Sequence, residues 1–419
     1  MRDITLIVLL LSLAAMAWRQ PWLGVLALVF VAIVHPQGYA TGFMQGFPAY
    51  LVLFGVVALT TVWQFARLRT WPRLHWDWRL AVLALLWGHF VLTTALGVNP
   101  WAGWPRLLEV SKRLPLLLLI LLMIDTQEKL RWLLLTVALS IAALVLKGGF
   151  WALITGFQDR VYGPPGSQYS DNNSFAIVTT LSIPLLALWY RQSASVGLRI
   201  LIGSLIALGF VSALSSWSRG GLLSLGVVAL LLAWHSRRKS LAIPLLVVVA
   251  GLAFVSMPDT WLARMQTIAT PELEESAATR LDLWLLGWNH ALQNPWTGGG
   301  FEGWIYLSLP AGGGSRVWHS AYIDLLAEHG FVGLALWAAL VVGSVLSLTW
   351  MIWQSRRRAM PGLVDEASML RASIAAYLVG AAFLSIAYWE ILFVLVASAI
   401  LVSRFSNEAP GAANISHSC

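Results

Sequence analysis

A succession of long apolar runs is the feature that most constrains the fold of this 419-residue chain. Most of the runs approach the roughly 20 residues that a helix needs to cross the hydrocarbon core of a bilayer. Lipid offers no partner for backbone N–H and C=O groups, so each run must satisfy its backbone internally as a helix. The pattern therefore predicts an all-α polytopic membrane protein. Beyond the N-terminal region the runs are residues 49–65, 80–96, 106–124, 130–147, 174–190, 198–216, 220–234, 241–257, 331–353, 371–388 and 391–403.

Composition supports this class, because hydrophobic residues make up 58% of the chain and charged residues only 11%. The mean hydropathy is +0.74, whereas a soluble protein of this length needs a charged surface. The only cysteine is Cys419, which excludes an intramolecular disulfide and a cysteine-built metal site. The net charge of +8 fits cytoplasmic loops that meet anionic lipid, and it gives no reason to expect nucleic acid as a partner.

The lysines and arginines of the short loops predict the orientation of the chain. If the runs alternate, the basic loops all lie on one side, the cytoplasm; they are residues 67–79, 129–131, 191–199, 237–239 and 356–358. The other side, which is the periplasm in a bacterial inner membrane, receives residues 35–48, 97–105, 148–173 and 257–318. We interpret residues 4–34 as one interrupted span, retained rather than cleaved as a signal peptide. This gives about 12 crossings with both chain ends in the cytoplasm, whereas two full spans would give about 13.

The same pattern divides the chain into four parts. Residues 1–257 and 319–404 form the N-terminal and C-terminal transmembrane helices. Between them, residues 258–318 form one long periplasmic loop, which we expect to carry short helices and the catalytic chemistry. Residues 405–419 are polar and are predicted to be a disordered tail.

His319 is the candidate general base of this loop. It lies between a glycine-rich stretch, residues 311–315, and an apolar helix-like run, residues 321–329. A histidine near a helix N-terminus has its protonated form disfavoured by the helix dipole, which leaves a neutral imidazole able to accept a proton. An interfacial histidine that is hydrogen-bonded to backbone is the alternative interpretation.

Arg219 is the sharpest signal within the membrane, because Ser216–Gly221 joins two apolar runs with almost no loop. A cation at that depth costs a few kcal/mol unless it is paired or binds an anion. The glycines at 220 and 221 permit a close backbone approach, and the next helix begins with N–H groups that favour an anion. An arginine that extends to the interface is the alternative.

Arg280 is predicted at the start of an amphipathic helix on the membrane surface, with apolar residues at 281, 284, 285 and 288. A cation there opposes the helix dipole, so either an anionic ligand or an acidic neighbour such as Glu275 or Asp282 must favour it. Secondary cations of the same side are Lys147, Arg160, Arg264 and Arg316, which add to a positive field although a solvated surface is the default for each.

A metal site is not predicted. Asp324 and Glu328 share one helix face, but no second carboxylate or histidine pair accompanies them. Asp171 is interpreted as a helix cap before Ser174.

In these residues the chain resembles the bacterial O-antigen ligase and polymerase superfamily, especially its ligases. The matching features are Ser218–Gly221 at a span junction, Arg280 with Trp284, Asn294-Pro295 followed by glycines, and His319-Ser320 leading to Glu328–Gly333. Together they cover roughly residues 200 to 340. In addition, Gly163–Ser167 with Asp171–Asn173 looks like the ligases found with exosortase systems.

The resemblance implies an inverting, metal-independent glycosyltransferase of lipopolysaccharide biosynthesis that needs no cofactor. Its donor would be an undecaprenyl-pyrophosphate-linked glycan, and its acceptor a hydroxyl of lipid A-core, outside the inner membrane. By the same resemblance Arg219 and Arg280 would hold the pyrophosphate, and His319 would take the acceptor proton. Glu302 is the remaining candidate for a base.

Three alternatives stay open at this stage. An O-antigen polymerase would join repeat units, and an exosortase-associated protein O-glycosylation ligase would use a peptide hydroxyl. A non-enzymatic transporter of lipid-linked glycan would need charged residues deep in several spans. Glu109, Lys112 and Arg113 are the one such cluster in the sequence, and an internal ion pair explains them.

Overall fold

A computed structural model describes residues 2–69, 71–236, 239–266, 275–311, 314–357 and 363–408. These residues are mostly helical and contain no β-strand, so the all-α prediction is confirmed for them. Short 3-10 helices span Pro36–Tyr39, Phe43–Gly46 and Leu309–Ala311. The α-helices are α1 (Arg2–Arg19), α2 (Pro21–Val34), α3 (Ala49–Leu68), α4 (Trp78–Ala95), α5 (Pro100–Ser111), α6 (Arg113–Met123), α7 (Gln127–Ile154), α8 (Asn172–Gln192), α9 (Val196–Leu214), α10 (Arg219–Trp234), α11 (Lys239–Ser256), α12 (Asp259–Gln266), α13 (Glu275–Gln293), α14 (Trp304–Leu307), α15 (Ala321–Arg357), α16 (Val364–Ala381) and α17 (Glu390–Glu408).

Among the described residues, seven helices are long and apolar enough to cross a membrane. They are α3, α4, α7, α8, α9, α15 and α17. Shorter apolar helices are α2, α10 and the first part of α11. These helices support a multi-pass membrane protein, while a total of about 12 crossings and the sidedness of the polar loop stay predictions.

Residues 4–34 form two packed helices, so the single interrupted span predicted from the sequence is wrong. Gln20 separates α1 from α2, and Pro21 occupies the first position of α2, where its fixed φ and missing N–H suit a helix start. Asp3 Oδ1 accepts hydrogen bonds from the backbone N–H groups of Thr41 (3.3 Å) and Gly42 (3.2 Å), which follow α2. The two helices are therefore antiparallel. If both cross the bilayer, the start of α1 lies on the side of residues 35–48 and not in the cytoplasm.

Two other predicted spans are interrupted. The run 106–124 is divided between α5 and α6 at Lys112, because Pro115 cannot donate the hydrogen bond that would join them. The run 371–388 stops being helical after Ala381, and residues 382–389 form a connection to α17. The Tyr377 hydroxyl donates to the backbone C=O of Ile386 and holds this connection.

Helix α15 has a kink at Gly330, where φ is 65° and ψ is −171°. That backbone conformation is nearly restricted to glycine. The chain before α14 packs into the kink: Phe331 N–H donates to Pro295 O (2.8 Å), and Gly300 N–H donates to Glu328 O (2.7 Å). The kink thus separates a helical segment that begins just after His319 from the apolar part of α15, as the run starting at 331 predicted.

Helices α8 and α17 lie in the centre of the bundle, with 78% and 72% of their span windows buried, whereas α3 and α9 bury only 28%. Helix α8 packs against α7, α9, α10 and α16. The last helix runs to Glu408, so residues 405–408, predicted as part of the tail, are helical. Residues 409–419 lie outside the described part of the chain.

Candidate active site

A cavity of about 440 Å³ lies where five parts of the chain meet. These are the α5–α6 junction, the start of α8, α13, the segment before α15 and the α16–α17 connection. Its ionisable lining side chains include Arg106, Glu109, Arg113, Asp171, Arg280 and His319. Two of the three residues predicted to be catalytic, His319 and Arg280, therefore share one cavity.

His319 is held in an unusual backbone conformation just before α15. Its φ is 54°, in the left-handed region that few non-glycine residues adopt. Its backbone N–H donates to Ser385 Oγ (3.1 Å), and that hydroxyl donates to Asp324 Oδ1 (2.9 Å) in α15. On the other side, Trp284 Nε1 of α13 donates to the C=O of Trp318 (2.8 Å). The position of His319 is thus determined from both α15 and α13.

The surroundings of His319 favour its neutral form. Burial is the main cause that lowers its pKa, to about 4, and the positive charges of Arg280 and Arg316 lower it further. The carboxylate of Asp171 acts in the opposite direction. The helix dipole is the predicted cause of a neutral imidazole; in the structure, burial and the charges of the two arginines also lower the pKa. At neutral pH a nitrogen of His319 can accept a proton.

Asp171 has both a local role and a place on the cavity. Its Oδ1 accepts hydrogen bonds from the N–H groups of Asn173 (2.9 Å) and Ser174 (3.0 Å), which confirms the predicted cap of α8. Because it lines the same cavity as His319, its charge also reaches the imidazole.

Arg219 is the first residue of α10 and does not line this cavity. Trp217, two residues before it, contacts two of the secondary cations. Arg160 lies over the Trp217 ring at 5.4 Å from its centroid, and Arg264 Nε donates to the C=O of Trp217 (3.1 Å). Of the other two secondary cations, Arg316 contributes to the charge around His319, and Lys147 is exposed on α7.

The predicted cations thus fall into two groups. The span junction with Arg219 is nevertheless connected to the cavity wall: Asn172 Nδ2, beside the lining residues Asp171 and Asn173, donates to Ser216 O (2.7 Å).

The α5–α6 wall of the cavity is not among the site residues predicted from the sequence. For Glu109 and Arg113, which are charges inside an apolar run, the sequence predicts an internal ion pair. The ion pair exists, with Arg113 Nη2 at 3.8 Å from Glu109 Oε1, but Arg113 also binds Glu390 Oε1 at 2.9 Å. Arg106 Nη1 binds Glu109 Oε2 at 2.9 Å. The usable signal was three charged residues at helical spacing, 106, 109 and 113, which share one helix face.

Two further motifs have structural roles that the sequence alone did not reveal. Glu302 is not a lining residue; its Oε2 accepts from Trp304 Nε1 (2.9 Å) and its Oε1 lies 3.5 Å from Arg106 Nε. His329 is fully buried against Thr93 Oγ1 (2.6 Å) and the Tyr388 hydroxyl (3.0 Å). Both side chains are thus held by contacts within the protein, and neither lines the cavity.

The described residues contain no group of three or more histidine, cysteine, aspartate or glutamate side chains that could hold a metal ion. Metal independence of the reaction stays a prediction.

Comparison with known proteins supports the resemblance. Residues 204–338 match a family model described as O-antigen ligase, and this range contains Arg219, Arg280 and His319. Residues 1–194, which contain the α5–α6 wall, match a family of unknown function (DUF5935). No curated protein matches the chain. This match over residues 204–338 supports membership of the chain in the O-antigen ligase superfamily.

Proposed function

We propose that the protein is an O-antigen ligase of the bacterial inner membrane, with its active site facing the periplasm. It transfers a glycan from an undecaprenyl pyrophosphate carrier to a hydroxyl of lipid A-core. The observation that carries this proposal is the shared cavity of His319 and Arg280 inside a chain with an O-antigen ligase domain.

In the proposed reaction, a neutral nitrogen of His319 accepts the proton of the acceptor hydroxyl. The acceptor oxygen forms a bond to the anomeric carbon of the glycan while the bond from that carbon to the pyrophosphate oxygen breaks. Undecaprenyl pyrophosphate leaves as an anion and keeps the electron pair. Attack from the face opposite the leaving group inverts the anomeric centre.

The leaving pyrophosphate needs positive charge at the point where its own charge develops. Arg280 lines the cavity and acts on the same imidazole as Arg316, so both belong to one electrostatic environment. Arg219, at the start of α10, is proposed to bind the phosphate that is farther from the glycan. Alternatively, it completes the pyrophosphate site only when the carrier binds. Guanidinium groups suit this task because they contact phosphate oxygens with two parallel hydrogen bonds.

Reconstitution with defined substrates tests the proposal. Purified protein in lipid nanodiscs receives one undecaprenyl-pyrophosphate-linked glycan and, in separate reactions, lipid A-core, a second copy of the donor, or an acceptor peptide. We expect glycan on lipid A-core without an added divalent cation. Product on the second donor would identify a polymerase, and product on the peptide a protein O-glycosylation ligase. Carrier binding without any glycosidic product would favour a transporter.

A further inference from the structure

The charged side chains on the wall formed by α5 and α6 are engaged in ion pairs. Two guanidinium groups, Arg106 and Arg113, are within ion-pairing distance of three carboxylates, Glu109, Glu302 and Glu390. Glu109 lines the cavity, whereas Glu302 and Glu390 are not among its lining residues. The two guanidinium groups are thus already paired with carboxylates, whereas the charges of Arg280 and Arg316 act on His319.

The side chains of this wall offer both donors and acceptors of hydrogen bonds. Glu109 lines the cavity and leaves 49% of its side chain exposed. Gln168, which precedes α8, lines the same cavity, and its Nε2 donates to Glu390 Oε2. Sugar hydroxyl groups donate and accept at once, so an array of carboxylate, amide and guanidinium groups complements them.

Two buried atoms, one of this wall and one of the neighbouring Gln168, have unmet hydrogen-bonding capacity. Arg113 Nε and Gln168 Oε1 have no partner among the described residues, although both atoms are buried. Arg113 is only 5% exposed. Buried polar atoms in native proteins nearly always find partners, so an unmatched donor and an unmatched acceptor on residues lining one cavity point to a ligand that supplies both.

We propose that the α5–α6 end of the cavity is a subsite for the hydroxyl groups of a sugar ring. Glu109 and Gln168 bind the hydroxyls; Arg113 holds Glu109 directly and Gln168 through Glu390. This inference rests on the proposed function and deepens it, because a ring bound here occupies the same cavity as His319. The ring belongs either to the first sugar of the donor or to the acceptor, and the experiment distinguishes these sources.

The first measurement compares the equilibrium affinities of the full-length protein in nanodiscs for two probes. One is undecaprenyl pyrophosphate alone, and the other is the same carrier with one N-acetylglucosamine. For a donor-sugar subsite we expect the sugar to tighten binding roughly tenfold, which corresponds to about 1.4 kcal/mol. Glu109→Gln and Gln168→Leu should each bring this ratio close to one. Arg280→Ala should weaken both probes and leave the ratio unchanged.

Glu408→Gln is the matched control. Glu408 is 47% exposed and pairs with Arg404 four residues away, as Glu109 is 49% exposed and pairs with Arg113. It lies at the far end of α17, so the ratio should stay at the wild-type value.

The second measurement is the KM for lipid A-core in the transfer reaction. If Glu109→Gln and Gln168→Leu keep the wild-type ratio of the two probe affinities but raise this KM roughly tenfold at constant kcat, the bound ring is that of the acceptor. If neither the ratio nor the KM changes while Arg280→Ala still weakens carrier binding, the subsite is refuted and the proposed function survives. If the wild-type protein binds neither carrier, both proposals fail.

Discussion

His319 has a strained backbone conformation that contacts with neighbouring residues stabilise. A left-handed conformation of a non-glycine residue costs of order 1 kcal/mol and persists only where surrounding contacts determine it. Here Ser385 provides the contact, by accepting from His319 N–H and donating to the buried Asp324. Such strain is characteristic of functional sites, where it directs a side chain that a relaxed backbone would turn elsewhere.

Replacing Ser385 with alanine should therefore misplace His319 without affecting the carrier site. We expect kcat of glycan transfer to fall at least tenfold for Ser385→Ala, because a small displacement of a catalytic group is costly. Ser385→Thr keeps the hydroxyl and should restore most of the rate. Affinity for undecaprenyl pyrophosphate should be unchanged in both variants. Equal losses for alanine and threonine would mean that packing, and not the hydroxyl, matters at this position.

The depressed pKa of His319 predicts an unusual pH profile. Since a base works only when unprotonated, kcat/KM should rise through about pH 4 and stay level from pH 5 to pH 8. An anionic carrier offsets the charges of Arg280 and Arg316, so the step in kcat, which reports the substrate complex, should lie at higher pH. His319→Gln should remove the step with most of the activity. A kcat/KM step near the ordinary value of about 6.5 would contradict the environment described here.

Arg280 and Arg219 should both be required for glycan transfer. Loss of one well-placed electrostatic donor costs about 2.7–4 kcal/mol in comparable sites, so each alanine variant should lose about 100-fold or more in transfer. Lysine should rescue only partly, because it lacks the planar fork. Arg404→Ala, which removes an exposed ion pair far along α17, serves as the control. Normal transfer by Arg219→Ala would assign this arginine to the span junction alone.

At the level of the helices, the kink in α15 separates the segment beside the site from the apolar part of the helix. Its first segment follows His319 and carries Asp324, and its second segment is apolar. The kink at Gly330 joins them, and the chain from Pro295 to Gly300 occupies the space that the kink opens. The glycines at 298–300 and at 330 thus allow the backbone of this segment to contact the backbone of α15 at the kink.

Gly330→Ala should destabilise the protein strongly. The added Cβ would lie 2.5 Å from Pro295 O, and the φ of 65° is strained for any other residue. We expect a loss of about 2 kcal/mol or more in unfolding free energy, measured as thermal unfolding in detergent. Gly226→Ala is the matched control. A Cβ there meets no atom within 4 Å, and alanine has a higher helix propensity than glycine at an exposed helix position. Equal stability of the two variants would argue against a fixed kink.

For the whole molecule, the sidedness of the loops decides which compartment the cavity faces. Ser170 and Ser315 are exposed residues of predicted periplasmic segments, and Ser195 is an exposed residue between the basic positions 191 and 199. In a Cys419→Ser background, cysteine at Ser170 or Ser315 should react with an impermeant maleimide in intact cells, and cysteine at Ser195 should not. The reverse pattern would invert the topology and, with it, the compartment of the proposed reaction.

The sequence by itself determined the class of this protein, because a bilayer leaves an apolar run of about 20 residues no structure but a helix. It also marked His319, Arg280 and the α8 cap at Asp171, since glycine runs, isolated charges and capping residues act locally. The antiparallel pairing of α1 with α2 was decided by contacts that no local pattern encodes. The same is true of the α5–α6 wall, where Arg113 meets Glu390 across 277 residues (390 − 113). Long-range pairing of charges brings the cavity together, and only the tertiary structure specifies which charges meet.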